Sequence, residues 1–385
     1  MKIEKIHIKE IDDSFPLLYP TRSIEITTDK GTVITPNRGA TGYEFNRKKI
    51  LPSEITIENS ITIHSKKFTG GEVAKLVSEN GEYRKLVNAV DRSDHVTEYS
   101  TLHLCSFQLA SMAKNFPAPM VTLAREENLN NFLSAVIEMQ LEPNHDIISI
   151  PHFDLPFSQL QQVLKMTNDS IQKLDKEAMF TLDLRYPQFT ELLDYVAEEF
   201  QSKIISLVYR KYRDVRHNYR HLRNYARRDI AFLMTEVERA DLESTNLSTM
   251  HYLPFLGNDI YAVELPPPNI PEEGKPPKPK NPANIKVMNR NELTIESFPT
   301  KSTSNTEILE ELGNVEYDKL SEKLSNIDQV RTDDRKYDIV NALTRIHELK
   351  VSTEEFMLLQ EHINDRSSND YVRKKRSFQS RLPPI

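Results

Sequence analysis

From about residue 74 onward the sequence alternates short apolar runs with amphipathic helical stretches, and this alternation limits the fold more than any other feature. Eight runs of four to six residues have strand character, at residues 101–105, 120–123, 147–151, 179–184, 204–209, 230–235, 249–253 and 260–265. Between most of them the sequence predicts helices, over residues 126–140, 157–174, 187–200 and 212–227. Alternating strands and helices are typical of a helix-covered parallel sheet, and eight strands favour its closure. We therefore predict an α/β fold, a (β/α)8 TIM-like barrel.

The segments on either side of the predicted barrel have different patterns. The first 65 residues alternate apolar and polar side chains around a turn at Asp29-Lys30-Gly31, which predicts an antiparallel β-hairpin cap. Residues 266–282 contain eight prolines, which indicates an extended spacer. We predict an N-terminal cap over 1–73, a barrel over 74–265, a Pro-rich linker over 266–304, an acidic helical module over 305–372 and a basic tail over 373–385.

Composition excludes several classes of protein. Nine glycines in 385 residues are too few for the glycine-rich phosphate loops of Walker or Rossmann enzymes. The lone Cys105 excludes a disulfide scaffold and a cysteine-based zinc site. The charged N-terminus lacks the apolar stretch of a secretory signal, and no run is long enough for a membrane helix. We therefore expect a cytoplasmic protein with no membrane partner, no metal and no cofactor.

Ionisable residues follow four consecutive predicted strands. In a βα barrel the reacting groups lie at the carboxyl ends of the strands, where the loops converge on one mouth. The candidate catalytic residues at such ends are His152, Asp154, Asp183, Glu236 and His251. Asp259 falls at the start of the last strand, which places it on the opposite face.

Paired carboxylates suit displacement at a sugar carbon, because one attacks or stabilises positive charge while the other protonates the departing group. Asp154 and Asp183 are the preferred pair, and Glu236 is the reserve. His152 and His251 can act as acid or base near neutral pH. Two alternatives stay open. The strand ends can be merely solvated or paired with one another, and the same side chains are acceptable metal ligands, although no HxH or HExxH spacing supports a metal site.

The segment from Lys203 to Arg228 concentrates positive charge. It contains nine basic residues and one acid, a net charge of +8 in a chain whose net charge is −7. On a helix, five arginines form one stripe beside an apolar stripe that packs on the barrel. This arginine stripe consists of Arg213, Arg216, Arg220, Arg223 and Arg227. The predicted nucleic-acid-binding residues are Arg185, Arg210, Lys211, Arg213, Arg216, Arg220, Arg223 and Arg227. The alternative is internal: the stripe docks against the acidic C-terminal module or the acidic helix at 187–200.

The segment Arg22-Ser-Ile-Glu-Ile-Thr-Thr-Asp-Lys-Gly-Thr-Val-Ile-Thr-Pro36 resembles the N-terminal hairpin of the tRNA-guanine transglycosylase superfamily. The resemblance implies a hairpin cap, a (β/α)8 barrel and a C-terminal extension. It also implies a reaction in which an aspartate attacks the ribose anomeric carbon and a second carboxyl group assists base exchange. The chain lacks the family's zinc-binding cysteines, its glycine-rich base-binding loop and a counterpart of its nucleophile motif, so no catalytic residue is carried over by motif.

These observations favour a nucleic-acid base-modifying enzyme of transglycosylase type. It would exchange or remove a purine in tRNA or DNA by carboxylate-assisted displacement at the sugar anomeric carbon. One alternative is a non-catalytic barrel that serves as a binding or scaffold protein, with a protein partner recruited by the C-terminal module. A third hypothesis is metal-assisted hydrolysis of phosphorylated substrates. The sequence leaves open whether the barrel is catalytic.

Overall fold

The computed structural model describes residues 2–14, 20–41, 61–78, 100–110, 118–141, 145–238, 247–263, 284–299, 334–375 and 378. The Pro-rich segment 266–282 and residues 305–333 of the predicted helical module lie outside these residues, as does nearly all of the basic tail beyond residue 375.

A three-stranded antiparallel sheet precedes the barrel and has the order β1 (Ile3–Asp12), β2 (Thr21–Thr28), β3 (Gly31–Ile34). Strands β2 and β3 form the predicted hairpin around Asp29 and Lys30, with Ile26 opposite Val33. The hairpin expected from the alternating pattern is therefore confirmed.

Eight parallel strands then form a nearly closed barrel, which confirms the predicted fold class. They are β4 (Asn37–Thr41), β5 (Ile61–Phe68), β6 (Leu102–Leu109), β7 (Ile147–Ile150), β8 (Glu177–Asp183), β9 (Ile204–Val208), β10 (Ala231–Val237) and β11 (Ile260–Val263). Neighbours along the chain are neighbours in the barrel, and β11 pairs back with β4 through Ile260 opposite Asn37. Among the described backbone pairings the ladder has one gap, between β6 and β7.

Helices follow most strands and cover the outside of the barrel. They are α1 (Gly70–Ser78), α2 (Pro119–Leu123), α3 (Glu126–Leu141), α4 (Phe157–Gln172), α5 (Phe189–Glu199), α6 (Tyr212–Arg223) and α7 (Thr249–Tyr252), which continues into a 3-10 turn at Leu253–Leu256. None of the described helices combines the length and the apolar character that crossing a bilayer requires.

Two predicted strands were wrong. Residues 120–123 belong to α2, and residues 249–253 span α7 and the start of the 3-10 turn. Short apolar runs fit a buried helical turn as well as a strand, so periodicity alone does not separate them. The barrel strands that replace them are β4 and β5, which lie inside the segment predicted as the cap. Strand β4 has no apolar run, and Ile61–Phe68 pairs in parallel with β4 and β6.

Side chains along each barrel strand alternate between the lumen and the surrounding helices, as the period of two requires. The amino-terminal half of the lumen is apolar and is filled by Ile61, Ile63, Leu102, Leu104, Ile147, Met179, Ile204, Ala231, Leu233, Ile260 and Ala262. The antiparallel sheet contributes Ile3, Ile24, Ile26 and Val33 to the same buried cluster. The N-terminal sheet therefore seals the barrel at the amino-terminal ends of its strands, and the opposite end is the mouth.

A buried ion pair fixes this seal. Arg22 of β2 donates from Nε and Nη2 to the two carboxylate oxygens of Asp259, at 3.1 and 2.8 Å. Its guanidinium also donates to the backbone carbonyls of Tyr225, Ala226, Arg228 and Ile230. Asp259 in turn accepts the Phe232 N–H at 2.8 Å. The predicted location of Asp259, at the start of the last strand and on the face away from the mouth, is confirmed.

The C-terminal part of the chain packs on the barrel. A hairpin of β12 (Asn284–Met288) and β13 (Ile295–Pro299) is followed by α8 (Asp334–Asn364) and α9 (Ser368–Lys374). Phe356 of α8 stacks on Tyr261 of β11 at 5.4 Å between ring centroids, and Gln360 donates to the carbonyls of Ile34 and Pro36. The predicted C-terminal helices are present, and they share a core with the barrel.

His251 lies in the interface between α7 and α8. Its Nδ1 is 2.9 Å from Ser248 Oγ, and its ring stacks on Phe356. Burial, helped by Arg38 and Lys375 and opposed by Glu348, lowers the pKa of His251 to about 3. The imidazole is therefore neutral in the folded protein at ordinary pH.

Loss of Arg22 should destabilise the protein strongly. Arg22→Met leaves the Asp259 carboxylate buried without its counter-charge, which we expect to cost about 3–5 kcal/mol of unfolding free energy. Adding Asp259→Asn should recover part of this loss, because the two residues act on one interaction. Urea unfolding measures both. The exposed pair Arg227–Asp13 is the matched control, and Arg227→Met should leave the urea midpoint nearly unchanged. Equal effects of the two arginine variants would contradict the assignment.

Acid should destabilise the protein through His251. The ring titrates near 6.5 when unfolded and near 3 when folded, so between these values the unfolded chain binds more protons and stability falls as pH falls. From pH 6.5 to 5 the loss from this residue is about 2 kcal/mol. His251→Asn keeps a polar group near Ser248 and removes the titration, so its unfolding free energy should drop by about 2 kcal/mol less over this interval. Parallel losses in both proteins would exclude His251 as the cause.

Candidate active site and nucleic-acid interface

The half of the lumen next to the mouth is lined by polar side chains. Strand alternation continues the lumen-facing positions into Ser65, Ser106, Gln108, Ser149, Thr181, Asp183, Ser206 and Thr235. Ser106 Oγ lies 2.9 Å from Thr235 Oγ1, and Gln108 Nε2 donates to the same oxygen at 3.0 Å. These bonds cross the lumen from β6 to β10. The lumen thus has an apolar half at the sealed end and a polar half next to the mouth. We call this polar half of the lumen the polar chamber.

Several buried atoms of this chamber lack a hydrogen-bond partner. Within the part of the chain that the structure describes, they are Ser65 Oγ, Gln108 Oε1, Thr181 Oγ1 and Ser206 Oγ. A buried hydroxyl or amide without a partner costs about 1–3 kcal/mol, so such groups normally bind water or a ligand. All four belong to the polar half of the lumen next to the mouth.

Glu236 lies at the mouth end of β10 in an uncommon backbone conformation. Its φ of 60° is in the left-handed region, and the pairing of β10 with β11 shifts register between Met234 and Val237. A non-glycine residue in this region costs on the order of 1 kcal/mol, and such residues cluster at functional sites. The side chain is 8% exposed and forms an ion pair with Lys67 of β5, with Nζ 2.5 Å from Oε2. The carboxylate of Glu236 is therefore enclosed at the mouth, on a backbone that adopts an uncommon conformation.

A second carboxylate lies at the end of β8. Asp183 faces the lumen, and its Oδ2 accepts hydrogen bonds from Arg210 Nη2 at 3.2 Å and Nε at 3.4 Å. Its Oδ1 accepts the backbone N–H of Arg185 at 2.9 Å. Register pairing places Asp183, Val208 and Thr235 at the same level of the barrel. Asp183 is thus oriented from both sides at the rim of the chamber.

His152 follows β7 and completes this part of the rim. Its ring packs edge-on against Tyr186, whose hydroxyl donates to the Leu155 carbonyl. Burial lowers the pKa of His152 to about 4, and the nearby carboxylates of Asp183 and Asp154 oppose that shift. The ring is therefore neutral at ordinary pH and can accept or donate a hydrogen bond.

His152, Asp183 and Arg210 are neighbours at the mouth end of the barrel, and Glu236 lies at the same end beside Lys67. Asp154 is in the same loop as His152, but its side chain is exposed. His251 does not join the group, because the segment predicted as its strand is helical and the ring lies under α8. Among the described residues, one set of three side chains has its possible metal-binding atoms within 4.8 Å of one another. That set does not include these mouth residues.

Sequence reasoning missed Lys67, Ser106, Gln108 and Thr235. Strand β5 was assigned to the cap, so Lys67 was not recognised as a strand end. Gln108 and Thr235 lie within strands, where a lone polar side chain gives no signal until the lumen face is known. The polar residues at every second position of β6, Ser106 and Gln108, were the available signal.

The arginine stripe lies on the outer surface. Arg213, Arg216, Arg220 and Arg223 are exposed on α6, whereas Val215 and Leu222 are buried against the barrel. The helix ends at Arg223 and not at residue 227 as predicted, so Arg227 is exposed in the turn that follows. Helix α6 begins just after β9, so the stripe starts at the rim of the mouth beside Arg210. Arg185, on the neighbouring loop, is exposed and pairs with Asp214 at 2.7 Å.

The described ion pairs of the stripe are few. Arg227 pairs with Asp13 at 2.9 Å, and Arg213 is 3.8 Å from Asp214 of its own helix. Lys211, at the helix start, pairs with Glu238 at 2.6 Å. No ion pair between the described residues joins the stripe to α5, α8 or α9. Arg228, at the end of the same basic segment, pairs with Glu198 of α5 at 3.3 Å, so the internal alternative has one contact with the acidic helix. Residues 305–333 of the acidic C-terminal module lie outside the described residues.

The chain matches no protein-family model, and no curated protein sequence is significantly similar to it.

Proposed function

We propose that the protein is a nucleic-acid base-modifying enzyme of transglycosylase type, which exchanges or removes a purine by displacement at the sugar anomeric carbon. The observation that carries the proposal is the enclosed carboxylate of Glu236. It lies beside the ammonium group of Lys67 at the entrance of a polar chamber, and a row of exposed arginines begins at the same rim.

The proposed reaction needs one carboxylate close to the anomeric carbon. An oxygen of Glu236 forms a bond to this carbon while the carbon–nitrogen bond to the base breaks, and the electron pair remains on the base nitrogen. A proton relayed by Asp183 or His152 goes to the departing base, and the incoming base or water gives up a proton when it attacks. Attack by an incoming base on the anomeric carbon releases the carboxylate and completes base exchange. Attack by water releases the carboxylate and completes base removal. Lys67 balances the carboxylate charge before attack.

Asp183 and His152 are the proposed proton-transfer groups. Asp183 is held by Arg210 and by a backbone N–H, so its orientation is fixed before substrate binds. His152 is neutral, which lets one ring nitrogen accept a proton while the other donates. Asp154 is a weaker candidate because its carboxylate is exposed to water. Enclosure thus favours Glu236 with Asp183 over the pair preferred from sequence.

The polar chamber suits recognition of a base. Purine edges present donors and acceptors in one plane, and enzymes that act on a base read these edges by hydrogen bonds after the base leaves the stack. The unpartnered oxygens of Gln108, Thr181 and Ser206 are available for this purpose within the described chain. The resemblance of Arg22–Pro36 to the transglycosylase hairpin points to the same chemistry.

The arginine stripe is proposed to bind the phosphate backbone. Exposed arginines spaced along one helix contact successive phosphates without reading sequence, and such contacts make affinity dependent on salt. The stripe starts at the mouth, so bound nucleic acid would pass the chamber entrance. The acidic remainder of the chain would confine binding to this face.

Base exchange should depend on Glu236 and not on a comparable carboxylate elsewhere. Glu236→Gln should lower incorporation of radiolabelled guanine into tRNA or duplex DNA by about 100-fold or more, with binding unchanged. Asp183→Asn should have a similar effect. Glu177→Gln is the matched control, because Glu177 pairs with Lys203 at 2.6 Å at the sealed end of the barrel. If the wild-type protein neither incorporates guanine into either nucleic acid nor releases a base from it, the proposal is contradicted. That result would favour the non-catalytic scaffold protein.

Nucleic-acid affinity should depend on the stripe through salt. Replacing Arg216, Arg220 and Arg223 with Gln should weaken binding and reduce the slope of log K against log salt concentration by about 2 to 3. Fluorescence anisotropy with a labelled duplex and a labelled tRNA measures it. The control replaces exposed Arg125, Lys165 and Lys173 with Gln, which changes the net charge equally. If both triple variants bind alike, the stripe is not the interface.

A further inference from the structure

The gap in the barrel lies between β6 and β7, where no described backbone ladder joins the strands. Side chains span it instead. Ser149 of β7 accepts the Phe107 N–H on its hydroxyl at 3.2 Å. The amide of Gln140, from α3, donates to the Ser149 carbonyl at 3.0 Å and accepts its N–H at 2.7 Å. The seam is therefore closed by side chains that replace strand pairing.

At the sealed end of this seam, three buried side chains with metal-binding atoms meet. His103 and Cys105 are on β6, and His145 is two residues before β7. The rings of His103 and His145 stack across the gap at 4.7 Å between centroids and 16° between planes. The donor atoms of all three lie within 4.8 Å of one another. All three side chains are at least nine-tenths buried.

The two rings are stacked, so they must rotate for their in-plane lone pairs to converge on one ion. His103 Nδ1 lies 2.6 Å from Thr62 Oγ1, an interaction that anchors this ring. His145 Nε2 is buried and has no hydrogen-bond partner in the described chain. Leaving such a nitrogen unsatisfied is costly, and a metal ion would satisfy it.

We propose that His103, Cys105 and His145 bind a zinc ion that ties β6 to the start of β7. Imidazole and thiolate are the ligands that structural zinc sites use, at about 2.0–2.1 Å for nitrogen and 2.3 Å for sulfur. Closing the cluster to these distances requires side-chain movements of about 1 Å. Cys105 loses its thiol proton to solvent when the metal–sulfur bond forms.

Three donor atoms lie within 4.8 Å of one another, and we propose His64 as the fourth ligand when the metal binds. His64 on β5 is the register partner of Cys105, so both side chains are on the outer face of the barrel. A site of three imidazoles and one thiolate is closed and tetrahedral, as structural sites are. It lies at the end of the barrel away from the mouth, so it would stabilise the seam and take no part in base exchange. A single cysteine excludes sites built from cysteines alone, but it does not exclude this mixed set.

The test is metal analysis of the full-length chain, purified without chelators and freed of any affinity tag. We expect about one zinc ion per chain. After exchange with Co²⁺, the thiolate of Cys105 should give a sulfur-to-cobalt charge-transfer band in the near ultraviolet. Removing the metal with a chelator should lower Tm, and zinc should restore it.

Cys105→Ser and His145→Asn should each abolish stoichiometric metal binding. The matched control is His7→Asn, because His7 lies on β1 outside the cluster and should leave the metal content unchanged. If the cluster variants do not fold, the wild-type cobalt spectrum decides. Wild-type protein that holds no zinc after incubation with Zn²⁺ and dialysis, or a cobalt complex without the sulfur band, would overturn the proposal.

Discussion

The ion pair between Arg22 and Asp259 is the interaction on which the rest of the structure depends. Both side chains are almost completely buried, and the guanidinium uses its remaining N–H groups on carbonyls between α6 and β10. It therefore joins the N-terminal sheet, the last strand of the barrel and the loop before β10 at one point. Charges buried so deeply are stable only when every partner is present. The pair thus fixes the orientation of the sheet against the barrel.

The seal determines where function can lie. Ile24, Ile26 and Val33 pack against the amino-terminal end of the lumen, and the polar layer that contains Gln108 and Thr235 lies toward the mouth. The sealed end of the barrel therefore mainly stabilises the fold, and the mouth is the end where a reaction site is expected, as in other barrels of this type. The seam between β6 and β7 follows the same division. Its proposed metal cluster lies at the sealed end, while Gln108 of the same strand β6 lines the polar chamber.

Much of the fold was predictable, because six of the barrel strands are continuous apolar runs between amphipathic helices. Strand β4 was not, since Asn37-Arg38-Gly39-Ala40-Thr41 contains no apolar run and gains its burial from its neighbours. At Gly39 an added Cβ would overlap Ile63 Cδ1, so close packing inside the barrel explains this glycine.

The candidate site was predictable where it depends on strand ends. Asp183, Glu236 and His152 follow strands that the sequence identifies, and the rule for barrels then places them at the mouth. Lys67 and Arg210 can be recognised as site residues only from their ion pairs with Glu236 and Asp183, which lie on other strands. The stacking of His103 on His145 depends on the gap in the ladder, which no local pattern encodes. The sequence therefore predicts positions along strands better than it predicts partners across them.

The central claim is that the polar chamber beneath Glu236 binds the base on which the enzyme acts. A crystal structure of the protein soaked with guanine tests it most directly. The account predicts a planar ligand in the chamber, hydrogen-bonded to Gln108 and to the hydroxyls of Thr181 or Ser206, with its edge toward Glu236. A chamber that contains only ordered water at saturating guanine, or guanine bound solely on the outer surface, would contradict it.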